Sequence, residues 1–229
     1  MICGVLFDLD GTLFDRASSV TACVTAQHAR HERMLGAVAT CDYVDRFVEL
    51  DARGYARKEE VYGEIAAELA LPESAARELF DDFYEHYHQH AVPFPDLHPT
   101  LSALRDSGTR LGIVTNGGEA HQQATIDALG IRHYFAAILI SESEGVRKPD
   151  PVIFHRALER LNLPPEEAIF VGDHPVVDIQ GARDVGLRGI WKRDEYWGEC
   201  PAAEALIEDL PSLLQVIRSL DATPSEGRT

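Results

Sequence analysis

The spacing of hydrophobic and polar positions changes along the chain and divides the sequence into two kinds of structure. An apolar run at residues 2–7 (ICGVLF) is closed by DLDGT, which predicts a short buried strand that ends in a turn. From about Phe14 to Val92, apolar residues recur three and four positions apart, as in EEVYGEIAAEL. That spacing is typical of amphipathic helices, so we expect an all-helical unit over residues 15–92.

From Pro93 onward, predicted helices and strands alternate. Helices are expected at about residues 100–106, 120–128, 151–161 and 176–184, between the strands RLGIVT, AAILI, AIFVG and LRGIW. Such alternation implies right-handed crossovers and a parallel sheet. The predicted fold class is α/β, a Rossmann-like parallel sheet flanked by helices, with the all-helical unit inserted after its first strand. Residues 1–14 and 93–221 would form this core domain, and residues 222–229 a disordered tail.

Composition and charge describe an acidic globular protein. With 45% hydrophobic and 26% charged residues, the 229-residue chain has the usual make-up of a folded domain. A formal net charge of −17 argues against nucleic acid and anionic membranes as partners. No apolar stretch approaches the roughly 18 residues that span a bilayer, and the chain opens without a basic leader. We expect a cytoplasmic monomer or homodimer whose four widely spaced cysteines are reduced thiols.

Polar residues follow four of the predicted strands at the point where each strand ends. They are Asp8 and Asp10 after the first strand, Thr115, Asn116 and Gly117 after the second, Lys148 after the third, and Asp173 with Asp178 after the fourth. Ligands of open parallel sheets bind beyond the carboxyl ends of the strands. We therefore expect these residues to converge in one crevice.

Taken in order, these segments resemble a known family. DLDGT, the strand that ends at Thr115, Lys148 before a proline, and GDHPVVD are similar to the four motifs of the haloacid dehalogenase superfamily. The inserted helical block resembles the cap of its capped phosphatase branch. One departure is His174, which stands where relatives often carry Ser or Thr.

The resemblance implies hydrolysis of a small-molecule phosphate monoester. Dehalogenases of the superfamily typically lack the second aspartate of the first motif, present here as Asp10, and its phosphonatases have DxAGT instead. Phosphomutases share DxDGT, so a mutase of the beta-phosphoglucomutase type stays open. A binding protein that kept the fold without turnover is a third alternative. Sugar phosphates, phosphoglycolate-like acids and nucleoside monophosphates all remain as substrates.

The residue types themselves fit attack on phosphorus. Asp8 can form an aspartyl-phosphate. Asp10 is two positions on and faces the same way in an extended segment, so it can protonate the leaving group and later deprotonate water. Thr115 and the residues after it, together with backbone N–H groups near Gly11, can hold phosphate oxygens. Lys148 supplies a positive charge for substrate and for the transferring phosphoryl group.

Several carboxylates in one crevice repel each other and the dianionic substrate, so the cluster needs a cation. Oxygen ligands of this kind suit Mg²⁺. We assign the Asp8 and Asp173 side chains and the Asp10 carbonyl as its ligands. Asp178, one helical turn further on, is expected to orient Lys148 or a metal-bound water.

Other interpretations of these patterns are weaker. A calcium loop that began at Asp8 would lack the glycine and the glutamate that such a loop needs, and no nucleotide-binding glycine motif occurs. Two groups keep open roles: a histidine cluster that fits either zinc or a polar helix end (His86, His88, His90), and residues that fit either substrate contact or an ordinary surface (Arg16, Arg53, Tyr55).

Overall fold

The computed structural model describes residues 1–222, which divide into two compact units. The α/β unit consists of Met1–Asp15 and the described residues from Pro93 onward, and the helical unit is Arg16–Val92. The first boundary falls one residue later than predicted. Residues 223–229, which make up most of the predicted disordered tail, lie outside the described residues. Within residues 1–222, no helix combines the length and the apolar composition that crossing a membrane requires.

The helical unit contains five α-helices and two short 3₁₀ turns among its regular elements. They are α1 (Arg16–Arg30), α2 (Glu32–Leu35), α3 (Thr40–Asp51), α4 (Lys58–Glu68) and α5 (Glu73–His86), with 3₁₀ turns at Ala52–Gly54 and Tyr87–His90. Its core is aromatic: the Phe47 ring lies 5.3 Å from that of Tyr62 and 5.5 Å from that of Phe83. Apolar positions three and four apart put these rings on the inner faces of α3, α4 and α5.

Hydrogen bonds of the buried Gln27 side chain, on α1, join four helices of this unit. The side-chain oxygen of Gln27 accepts hydrogen bonds from the hydroxyls of Tyr43 (2.7 Å) and Tyr62 (2.9 Å). Its amide nitrogen donates to the Leu79 carbonyl oxygen (2.7 Å) and to the Asp82 carboxylate (3.0 Å). Every polar atom of this buried amide thus has a partner, which is the condition under which a polar side chain is tolerated in a core.

Asp82 extends the hydrogen bonds of Gln27 toward the surface. Its carboxylate also accepts two hydrogen bonds from Arg30, at 2.9 and 2.8 Å. Burial raises the pKa of Asp82, but the hydrogen bonds from Arg30 and Gln27 outweigh burial and lower the pKa to about 2. Because this value lies below the roughly 3.9 of an unfolded aspartate, the contribution of Asp82 is present above pH ~4 and is lost as the pH falls toward 2.

We expect Asp82→Asn to lower the free energy of unfolding by about 1–3 kcal/mol at pH 6. The difference from wild type should shrink as the pH falls from 4 to 2, measured by denaturant unfolding. Asp81→Asn is the matched control, because Asp81 is 54% exposed and forms an ion pair with the exposed Arg77. That change should cost less than about 0.5 kcal/mol at every pH. Equal effects of the two substitutions would contradict the role given to Asp82.

The spacing of His86 and His90 predicted that they share one α-helical face. The structure shows that they do not. Helix α5 ends at His86, and His90 belongs to the following 3₁₀ turn. Nδ1 of His86 lies 2.9 Å from the Asp82 carbonyl oxygen, one turn back. Among the described residues, no group that could hold a metal ion includes these histidines. His86 thus takes part in the polar end of α5.

Six parallel strands form one sheet in the α/β unit. They are β1 (Gly4–Phe7), β2 (Arg110–Thr115), β3 (Ala137–Ile140), β4 (Ala168–Gly172), β5 (Arg188–Lys192) and β6 (Ala205–Ile207). Their order in the sheet is β3-β2-β1-β4-β5-β6, with every neighbouring pair parallel. The predicted α/β class is confirmed. Of the six strands, β6 alone was not predicted, because three residues are too short for an alternating pattern.

Six α-helices accompany the strands of this unit. They are α6 (Leu97–Asp106), α7 (Glu119–Ala128), α8 (Ser141–Glu144), α9 (Pro151–Leu161), α10 (Gly181–Asp184) and α11 (Ser212–Ala222). The helix predicted at 176–184 is a π-helical turn, Pro175–Gln180, that continues into α10. Helix α11 was not predicted, and it includes Ala222, the first residue of the predicted tail. All four cysteines are free thiols, as expected.

The sheet places its two central strands side by side. Because β1 lies between β2 and β4, the loops after these three strands meet at one edge of the sheet. The strand order reverses direction beside β1, which is the usual position of a ligand crevice in such sheets. Residues of β1 and β4 are fully buried, so this edge rests on a rigid core.

Candidate active site

The turn after β1 is built to hold two carboxylates close together. Asp8 directly follows β1 and is only 7% exposed. Gly11 adopts a positive φ of 76°, which closes the turn. A Cβ atom at Gly11 would lie 2.7 Å from Oδ2 of Asp173, so only glycine allows the Asp173 side chain to approach. Glycine at this position thus serves both the turn and the site.

Asp8, Asp173 and Asp178 form an acidic cluster in which one oxygen of each lies within 4.8 Å of the others. Asp178 is 2% exposed, and its Oδ2 accepts a hydrogen bond from the His174 backbone N–H (3.1 Å). A Cβ atom on Gly172 would lie 2.5 Å from the Asp178 side chain, which is why this strand end needs glycine. The structure thus brings the acids after β1 and β4 together.

Lys148 lies at the centre of this cluster. It is 3% exposed, and its Nζ is 2.6 Å from Oδ1 of Asp8 and 2.7 Å from Oδ1 of Asp178. The predicted contact between Asp178 and Lys148 is therefore present. The side chain of Asn116 holds the Lys148 backbone from both sides: Nδ2 donates to its carbonyl oxygen (3.0 Å), and Oδ1 accepts from its N–H (2.9 Å).

Several donors that we expected to face phosphate are used within the protein. The Gly11 N–H donates to the Phe14 carbonyl oxygen (3.0 Å), and the Gly117 N–H donates to Oγ of Ser141 (3.0 Å). The Asn116 amide is occupied by the Lys148 backbone. The Gly11 N–H is therefore used within the turn, and phosphate contacts of the other backbone N–H groups near Gly11 stay predictions. Substrate contacts of Asn116 and Gly117 stay predictions.

The charges of the cluster are strongly unbalanced. Burial raises the pKa of Asp8 well above its usual range; Lys148 lowers it, and the neighbouring Asp178, Asp173 and Asp10 raise it further. Burial lowers the pKa of Lys148, but the Asp178 and Asp8 carboxylates outweigh burial and raise it, so Lys148 stays charged. Lys148 contacts Asp8, which three further carboxylates surround, and a second ammonium, that of Lys192, interacts with Asp173. A divalent cation with oxygen ligands fits this site, because it would favour the ionised form of Asp8.

The departure in the fourth motif has a structural use. His174 caps the following turn: its Nδ1 accepts hydrogen bonds from the backbone N–H groups of Val176 (3.0 Å) and Val177 (3.1 Å). Ser and Thr cap helical turns with an oxygen in the same way. Indole Nε1 of Trp191 donates to the Asp173 carbonyl oxygen (2.7 Å). Both contacts orient the segment that presents Asp173 and Asp178.

Two buried polar residues of this region were not identified from the sequence. Gln122, on α7, is 2% exposed and contacts Asp10 and Thr115. Lys192 is the last residue of β5, 5% exposed, and its Nζ lies 3.5 Å from the centre of the Phe94 ring. Burial lowers the pKa of Lys192. The rule that polar residues matter at the carboxyl ends of strands would have found Lys192, whereas no sequence signal marks Gln122.

The candidate substrate contacts of the helical unit have local roles there. Arg16 forms a two-point ion pair with the buried Asp51, at 2.8 and 3.2 Å, and Lys58 pairs with the same carboxylate. Arg53 lies in the 3₁₀ turn that follows α3 and has a positive φ of 58°. Tyr55 is 57% exposed. Arg16 thus serves the fold of the helical unit. Substrate contacts of Arg53 and Tyr55 stay predictions.

The sequence model of the haloacid dehalogenase-like hydrolase family matches residues 2–186. The chain therefore belongs to the haloacid dehalogenase-like hydrolases. It is 30% identical to the phosphoglycolate phosphatase of Vibrio cholerae over 93% of this chain and 96% of that protein. A crystal structure of a HAD phosphatase from Thermococcus onnurineus has 28% sequence identity and a TM-score of 0.69, covering 95% of this chain and 98% of that one.

A glyceraldehyde 3-phosphate phosphatase of Methanopyrus kandleri is 40% identical over 134 residues, which are 56% of this chain and 58% of that protein. Like this one, the first curated relatives are matched over little more than half of their own length. The residues that the family model matches include all three aspartates of the acidic cluster.

Proposed function

We propose that this protein is a Mg²⁺-dependent phosphatase that hydrolyses a small-molecule phosphate monoester through an aspartyl-phosphate on Asp8. One observation carries the proposal: the buried Asp8 carboxylate lies 2.6 Å from Lys148 Nζ, beside Asp173 and Asp178, with Asp10 two residues further on. This combination of a nucleophile, a cation and a proton donor suits phosphoryl transfer. Family membership and the names of the relatives support it.

The residues divide the reaction into two steps. In the first, an Asp8 carboxylate oxygen attacks phosphorus, the bond from phosphorus to the leaving oxygen breaks, and Asp10 gives its proton to that oxygen. In the second, Asp10 takes a proton from water as the water oxygen attacks phosphorus. The bond between phosphorus and Asp8 then breaks, which releases inorganic phosphate and restores both aspartates. The Lys148 ammonium offsets the charge of the phosphoryl group in both steps.

The Asp8 and Asp173 carboxylates and the Asp10 carbonyl would hold Mg²⁺, which supplies the positive charge that lets a dianionic substrate approach a carboxylate. The unbalanced charge of the cluster supports this assignment. Lys148 alone cannot neutralise the surrounding acids, and its ammonium is already shared between Asp8 and Asp178.

The substrate class that we propose is a small phosphorylated metabolite. Two relatives are named for glyceraldehyde 3-phosphate and for phosphoglycolate, and both compounds are phosphate monoesters. An activity panel should contain these two compounds, hexose phosphates, nucleoside monophosphates and p-nitrophenyl phosphate. Turnover that depends on a bisphosphorylated activator and yields an isomer would instead identify a phosphomutase. Metal binding without turnover of any ester would identify a binding protein.

We expect turnover of p-nitrophenyl phosphate to require Mg²⁺. EDTA should abolish phosphate release, and added MgCl₂ should restore it, because the Asp8 carboxylate needs a neighbouring cation to remain ionised beside a dianion. NaCl at equal ionic strength is the control and should not restore activity. Phosphate release that continues in excess EDTA would contradict the metal assignment.

The covalent intermediate has its own signature. Rapid acid quenching during turnover of a ³²P-labelled ester should leave label on the protein, and neutral hydroxylamine should release it, since hydroxylamine cleaves an acyl phosphate. A phosphoserine or phosphothreonine ester would resist this treatment. Activity without any protein-bound label in a quenched single turnover would argue for direct attack by water.

A further inference from the structure

Gln122 connects the proposed proton donor to the second strand. Its Nε2 lies 2.7 Å from Oδ2 of Asp10 and 2.7 Å from Oγ1 of Thr115. The side chain leaves the first turn of α7, and space for it depends on Gly117: a Cβ atom there would lie 2.9 Å from Cγ of Gln122. Asp10 and Gln122 are 112 positions apart in the chain. The contact is therefore made only when β1 and β2 pair.

The amide of Gln122 presents its NH₂ group to Asp10, whose Oδ2 accepts a hydrogen bond from it. The same Nε2 also donates to Oγ1 of Thr115 and lies 3.4 Å from the Asn116 carbonyl oxygen. The other amide atom, Oε1, is buried and has no hydrogen-bond partner among the described residues. Leaving a buried carbonyl oxygen unpaired is unfavourable, which indicates that this amide is directed at Asp10 and not placed for its own stability.

We propose that Gln122 is a positioning residue for Asp10. The inference rests on the proposed phosphatase function. By holding Oδ2, the amide keeps the Asp10 carboxyl group in one rotamer next to the Asp8 nucleophile. Gln122 itself touches none of the reacting atoms in the proposed steps. Its effect is on the geometry of proton transfer to the leaving oxygen, which is sensitive to displacements of about 1 Å.

This role predicts an effect that depends on the leaving group. An alkoxide needs a proton as it departs, whereas p-nitrophenolate is stable without one at neutral pH. We expect Gln122→Met to lower kcat/KM for an alkyl phosphate such as glycerol 3-phosphate by about 10- to 100-fold. The loss for p-nitrophenyl phosphate should be less than about threefold. Methionine fills a similar volume without the NH₂ group, so packing is preserved.

The neighbouring residue offers a matched control. Gln123 lies on the same helix, but its amide donates to Oε1 of Glu119 (2.8 Å) and accepts from Arg132. Gln123→Met should leave kcat/KM unchanged for both esters. A loss in Gln122→Met that is equal for both esters would show a merely structural role and would overturn the proposal.

The contact can also be tested without turnover. In a double-mutant cycle on thermal unfolding, the change in midpoint caused by Asp10→Ala should differ between the wild-type and Gln122→Met backgrounds, because the two side chains interact. It should be the same in the wild-type and Gln123→Met backgrounds. Equal changes in all three backgrounds would overturn the proposal. An inactive wild type would overturn the proposed function, while the cycle would still decide whether Gln122 holds Asp10.

Discussion

Asp8→Asn is expected to lower kcat for p-nitrophenyl phosphate by about 10⁴-fold or more, the scale seen when a covalent nucleophile is removed. The amide has the shape of the carboxylate but is a far weaker nucleophile. It also cannot supply the charge that pairs with Lys148 at 2.6 Å. The fold should persist, because removing one of four crowded carboxylates relieves repulsion within the cluster. Initial rates and a thermal unfolding midpoint measure the two effects separately.

Asp150→Asn is the matched control for this substitution. Asp150 is exposed, lies two residues after Lys148, and its carboxylate caps α9 by accepting a hydrogen bond from the Val152 N–H (2.9 Å). Asparagine caps a helix equally well, so both activity and stability should stay near wild type. An active Asp8→Asn enzyme, or no ³²P label on wild type, would remove the aspartyl-phosphate from the mechanism.

Lys148→Met is expected to produce the second large effect, and it should be visible in both activity and stability. Loss of a charge directed at the phosphoryl group should lower kcat/KM by about 10²–10³-fold. The change also leaves Asp8 and Asp178 without their shared cation. Removing one partner of a buried ion pair typically costs about 3–5 kcal/mol of the free energy of unfolding. Denaturant unfolding with and without Mg²⁺ measures this cost.

The pH dependence of that cost identifies its cause. Burial raises the pKa of Asp8 above its value in the unfolded chain, and Lys148→Met removes the charge that lowers it, so folding of the variant favours protonated Asp8. The loss in the free energy of unfolding of Lys148→Met, relative to wild type, should therefore grow as the pH rises and shrink as the pH falls. A deficit that is independent of pH would point to packing instead of charge.

Two further variants separate the structural from the catalytic role of Lys148. Adding Asp178→Asn to Lys148→Met removes one unpaired carboxylate, so part of the lost stability should return while activity stays low. Lys58→Met is the matched control in the helical unit. Its partner Asp51 keeps the ion pair with Arg16 at 2.8 Å, and the loss of stability should be smaller. An equal loss in both lysine variants would contradict the charge argument.

Much of the fold could be predicted from the spacing of apolar residues. Strands β1 to β5 and helices α6, α7 and α9 follow local periodicities, which depend only on neighbouring residues. Where this information is weak, the prediction failed. The three residues of β6 are too few to show alternation, and the spacing of His86 and His90 could not show that α5 gives way to a 3₁₀ turn between them.

The sequence by itself determined the class of the fold and the convergence of Asp8, Lys148 and Asp173, because the carboxyl ends of parallel strands share one edge of a sheet. Only the tertiary structure decided how each polar group is used. It directs the Asn116 amide to the Lys148 backbone and the Gln122 amide to Asp10. Such partners lie on segments far apart in the chain, and they are chosen by strand pairing and side-chain rotamers, which local spacing does not encode.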